Sequence, residues 1–160
     1  MLGLSLSAFT LLHVVISLVA IASGFIVVFG MFGGKRMDGM TALFLATTVL
    51  TSVTGFLFPF THLLPSHILG IMSLVLLAIA ILARYPQHMN GGWRKAYVIC
   101  AVLSLYFNVF VLVVQGFEKV PFLHALAPTQ KEAPFAIAQL ALLLLFIWLT
   151  IASVRRFRQA

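Results

Sequence analysis

Five long apolar stretches, at roughly 7–33, 41–60, 67–84, 95–116 and 133–154, alternate with short polar connections along this chain. At about 1.5 Å of rise per residue, each helix built on them crosses an apolar layer of about 30 Å, or nearly so with slight thinning. In lipid an unpaired backbone amide costs several kcal/mol, so segments of this length span as helices, and five of them do not make a barrel. The expected fold is therefore all-α: a five-helix transmembrane bundle forming a single integral-membrane domain over residues 1–160. Composition agrees. Charged residues make up 8% of the chain, against about a quarter in an ordinary soluble domain.

Charge then orients the bundle. If the chain threads back and forth, Lys35, Arg36, Arg84, Arg94, Lys95, Arg155, Arg156 and Arg158 share one face, and only Lys119 and Lys131 fall on the other. Retained basic residues mark the cytoplasmic side, which predicts the N-terminus outside and the C-terminus inside, in a cell inner membrane of bacterial type. The net charge of +7 lies at helix ends, where it meets anionic headgroups, and forms no contiguous patch for nucleic acid. Nothing basic precedes the first stretch, so it reads as a retained helix and not as a signal peptide.

The connections carry their own punctuation. Gly33-Gly34 closes the first helix. Pro59 and Pro65 bracket a tight hairpin, with Ser66 as the expected N-cap of the third helix. Pro86 ends that helix, and Asn90-Gly91-Gly92 turns the chain. In the loop from Glu118 to Glu132, Pro121 starts a short interfacial helix through His124 and Leu126. Thr129-Gln130-Lys131-Glu132 reads as a capping box for the last long helix.

Polar residues inside the apolar stretches mark faces that meet other helices. Thr10, His13, Ser17, Ala20 and Gly24 follow one stripe of the first helix; Thr47, Thr51 and Gly55 follow one of the second; Tyr97, Ser104, Asn108 and Gln115 share a face of the fourth. His13 stands nineteen residues before Phe32, and His67 seventeen before Arg84. The two imidazoles therefore differ in depth by only about 3 Å. Two histidines from different helices at one level suit a haem held edge-on, with Gly70 leaving room for the macrocycle. The pair is similar in kind to that of b-type membrane cytochromes, an analogy of site geometry. His62 and His124 complete a set of up to four nitrogens with His13 and His67, suited to copper or zinc.

Other chemistry is thin. The acids are Asp38, Glu118 and Glu132, none within a helix core, which argues against a carrier driven through membrane carboxylates. Cys100 is the single cysteine and reads as a small buried hydrophobe. A catalytic triad, a phosphate loop and the HExxH motif are all absent. The function expected first is a non-catalytic accessory component, not an enzyme. It binds a partner subunit, a second copy, lipid or quinone through its outer-side polar faces, with His13, His67, Asn108 and Gln115 as candidate contacts. The alternative is a redox protein holding haem b or copper through the outer histidines, and a small transporter or channel comes third.

Overall fold

A computed structural model describes residues 3, 5–35, 37–57, 65–129 and 131–157, apart from the side chains of residues 65 and 66. His62, Arg36, Pro59, Gln130 and Arg158 lie outside the described residues. Among those described there is no strand. The order is α1 (Leu6–Phe32), α2 (Asp38–Gly55), α3 (Pro65–Arg84), α4 (Gly92–Lys119), α5 (Pro121–Leu126) and α6 (Ala133–Arg156).

Each boundary has a local cause. The Ser5 side chain accepts from the Ala8 amide and caps α1, satisfying one of the donors that a helix start leaves open. Gly33 caps its other end, and Gly34 takes a φ of +70°, a conformation with no steric penalty for glycine. Met37 folds back over Gly30, where a β-carbon would collide with the Met37 sulfur. That close approach lets α2 begin at Asp38 and run antiparallel to α1.

The helix ends correct three expectations. α2 covers Asp38–Gly55 in place of 41–60, with Phe56 and Leu57 in a turn after it. α3 begins at Pro65, so Ser66 sits in its first turn and does not cap it; proline at a helix start lacks only an amide that would have had no partner. α6 begins at Ala133, too late for Thr129 to be its cap. The Glu132 carboxylate instead accepts from the Thr129 hydroxyl at 2.7 Å and from the Thr129 and Lys131 amides. This ties the loop to itself. The short helix expected after Pro121 is present as α5.

α1 packs on α2, α2 on α3, α3 on α4, and α4 back on α1; α2 and α4 also touch across the centre. α6 packs against α4 and α1, and α5 against the end of α4. Side chains such as Val28, Phe44, Leu77, Val98, Leu105 and Phe146 fill the interior. At its middle, a β-carbon on Gly24 would lie 2.7 Å from Leu105 Cδ1 and 2.9 Å from Phe44 Cε1, so glycine there sets how closely three helices approach.

The outside of the bundle is as apolar as the inside. Leu11, Ile137, Leu144 and Trp148 are each more than half exposed, a surface that water would penalise and hydrocarbon would not. α1, α3 from His67, α4 and α6 are all long and apolar enough to cross a membrane, as expected of a multi-pass membrane protein. α2 has 18 residues, about 27 Å of helix. It carries Asp38 and five threonines.

Candidate functional site

The polar residues singled out from sequence fall largely at one end of the bundle, around the last turn of α2. On α1, His13 lies in the stripe that packs against α2, and its Nδ1 is 2.7 Å from Thr54 Oγ1. Thr54 also donates its hydroxyl proton to the Leu50 carbonyl at 2.7 Å. With that proton committed, the Thr54 oxygen accepts from His13 Nδ1–H. In the neutral ring this tautomer makes Nε2 the nitrogen with a lone pair. Gly55 lies alongside, where a β-carbon would stand 3.8 Å from His13 Cε1, an ordinary contact.

His67 reaches the same place from the other side. It is 5% exposed, and its ring lies 5.3 Å from that of Phe56, centroid to centroid. The room that Gly70 opens is taken by the same phenylalanine: a β-carbon there would sit 2.9 Å from Phe56 Cε2. Space expected for a macrocycle is thus filled by an aromatic ring one residue past the end of α2. α1 and α3 flank α2 and share little contact with each other.

Gln115 lies ten residues beyond Leu105 on α4, and Thr54 ten beyond Phe44 on α2. Leu105 and Phe44 both meet Gly24, so about 15 Å further along Gln115 arrives at the height of Thr54 and His13. It is half-buried there. Asn108 is two turns deeper, half-buried, with an amide nitrogen that has no partner among the described residues. His124, on α5, donates from Nδ1 to the Phe117 carbonyl at 3.3 Å, which fastens α5 to the last turn of α4. Among the described residues no three His, Cys, Asp or Glu side chains gather as a metal would need. Comparison with protein families, curated proteins and solved structures finds no match.

What this end offers chemically is hydrogen bonding within the bundle: the imidazoles of His13 and His67, the Thr54 hydroxyl and, at the same height on α4, the Gln115 amide. Two surface grooves elsewhere are apolar. One of about 200 Å³ runs between α4 and α6 beside Tyr106 and Phe146. Another of about 480 Å³ runs between α2 and α3 beside Ala42 and Tyr85. Sequence reading passed over Phe56 and Gln139. Both amide atoms of Gln139 are buried in α6 without a partner among the described residues, and its signal was plain, a lone amide in an apolar run.

Proposed function

We propose that this chain is a non-catalytic binding component of a cell inner membrane. α1, α2, α3, α4 and α6 make five spans, with the N-terminus outside and the C-terminus inside. The protein recognises a partner subunit, a lipid or a quinone at the outer leaflet, and a quinone or lipid head group suits the site best. The observation that carries this reading is the bond from His13 to Thr54 at the last turn of α2, with His67 packed on Phe56 just beyond it; Gln115 stands at the same height on α4. Hydrogen-bond donors and acceptors beside an apolar surface match an amphiphile whose head hydrogen-bonds while its tail stays in hydrocarbon. The α2 span rests on its place in the bundle, packed between α1 and α3.

Two measurements test this. In a Cys100→Ala background, a cysteine at Ser66 or Thr129 should react with an impermeant thiol reagent from outside, and one at Gly91 should not. The reverse pattern removes the orientation. Protein in lipid nanodiscs should take up a photoreactive short-chain ubiquinone or phospholipid saturably at the α2 end. His13→Ala with Thr54→Val should weaken uptake about tenfold, the loss of roughly one charge-free hydrogen bond with its orphaned partner. Uptake unchanged by those substitutions would move the reading to a partner subunit.

One observation favours the redox alternative with haem b or copper: the Thr54 bond orients His13 with Nε2 as its ligating nitrogen, the kind of outer-shell support that metal-bound histidines receive. Phe56 in the space beside Gly70 weighs against a haem. A visible absorption spectrum with metal analysis of purified protein decides it, and a strong Soret band would put the redox reading first.

A further inference from the structure

We propose that Ser73 of α3 and Asn108 of α4 hold a water molecule between them, inside the bundle. Most hydroxyls on these helices bond to a carbonyl of their own helix about one turn back: Thr10, Ser17, Ser23, Thr48, Thr51, Ser104 and Thr150 all do so. Such bonds satisfy a hydroxyl in lipid without any neighbour. Ser73 is a departure, as is Ser153 of α6, and Ser73 has a polar neighbour across a helix interface. It is 3% exposed, and its hydroxyl has no partner among the described residues. The Asn108 amide nitrogen is buried and without a partner in the same way.

Helix register brings the two together. α3 and α4 pack side by side and antiparallel, and at one end Arg84 Cζ lies 5.0 Å from the centroid of the Tyr97 ring. Ser73 is eleven residues before Arg84 and Asn108 eleven after Tyr97. Eleven residues make just over three turns and about 16.5 Å of rise. Both residues therefore return to the faces that Arg84 and Tyr97 present to each other, at a common height. The same step can be checked elsewhere in the bundle. Gly24 meets Phe44, and eleven residues further on, in opposite senses, His13 meets Gly55. The rule holds there.

Two buried polar groups that face each other without a direct bond are the setting in which an internal water resides. A buried water typically makes about three hydrogen bonds to groups otherwise unsatisfied. Here it accepts from the Asn108 amide and bonds to the Ser73 hydroxyl, which both donates and accepts.

Asn90 and Asn108 are the two asparagines of the chain, so an Asn90→Ser background gives a single asparagine amide signal. Solid-state NMR of that protein in bilayers, labelled with ¹⁵N-asparagine, should show early magnetisation transfer from water to the Asn108 side chain. Ser73→Val should cut that transfer at least threefold; Ser73→Ala serves if the valine variant aggregates. Absence of early transfer in the Asn90→Ser protein would mean a dry, direct contact and overturn the proposal. Transfer that survives both substitutions at Ser73 would overturn it as well.

Discussion

The two ends of this bundle are closed by different chemistry. At one end Arg84, 1% exposed, pairs with Asp38 at 2.6 Å and lies over the ring of Tyr97. Beside it Arg94 donates to the carbonyls of Val154 and Phe157, which α6 leaves open at its C-terminus. At the other end the helices are tied without an ion pair among the described residues: His13 to Thr54, the His67 ring against Phe56, His124 to a carbonyl of α4. A buried guanidinium commits its surroundings, because moving it strands a charge. A neutral imidazole or hydroxyl exchanges one partner for another at about 1 kcal/mol. Rigidity belongs to the arginine end, and capacity to accept a ligand belongs to the histidine end.

The largest expected effect therefore lies at Asp38. Asp38→Ala removes the carboxylate and leaves the Arg84 charge in place. Breaking a fully buried pair costs roughly 3–5 kcal/mol, and because Asp38 is 70% exposed, about 2 kcal/mol is expected. Thermal unfolding in detergent measures it. Asp38→Ala combined with Arg84→Met should recover much of the loss, since no charge is then stranded. A double variant no better than the single would show that the arginine is not what makes this end rigid.

Gly24 and Gly55 divide the middle of the bundle from the histidine end. Gly24→Leu must push Leu105 and Phe44 aside, and overpacking of that kind costs about 1–3 kcal/mol. At Gly55 a β-carbon meets only His13 Cε1, at ordinary contact distance, so Gly55→Ala should shift melting far less. Equal shifts would mean that the histidine end is as tightly packed as the centre. Thr54→Val, which removes the acceptor for His13, should cost about 1 kcal/mol while weakening ligand uptake. Loss of stability without loss of uptake would make the Thr54 bond purely structural.

How far the sequence foretold this depends on the kind of interaction. The apolar stretches were legible because lipid forces each long run to satisfy its own backbone, and the described helices follow them within a few residues apart from α2. The small-residue stripe through Gly24 was legible for a similar reason: close approach needs glycine whatever the partner. Pairings between helices were not. Arg84 and Arg94 read as topological charges, and nothing in their spacing revealed a salt bridge or an α6 C-terminus. Asp38 held a clue, being the only acid before Glu118. Phe56 was invisible because an apolar residue after an apolar helix carries no mark of the neighbour it covers.

The smallest effect is expected in the loop before α6. There the Thr129 hydroxyl first of all, then the Thr129 and Lys131 amides, hold the Glu132 carboxyl below its ordinary value. A carboxyl depressed in the folded state adds stability above its unfolded value, and that contribution is lost as pH falls through the folded value. Acidification below about pH 4.5 should therefore loosen this loop. Hydrogen exchange at the Thr129 and Lys131 amides would report it, with little change in the melting of the whole chain. Thr129→Val should raise the pH at which protection is lost, because the hydroxyl is the main group favouring the charged form. If protection is lost at the same pH in both proteins, the carboxylate is not what orders this loop. The histidine end would then be bordered by a segment held only through α5 and its bond from His124 to Phe117.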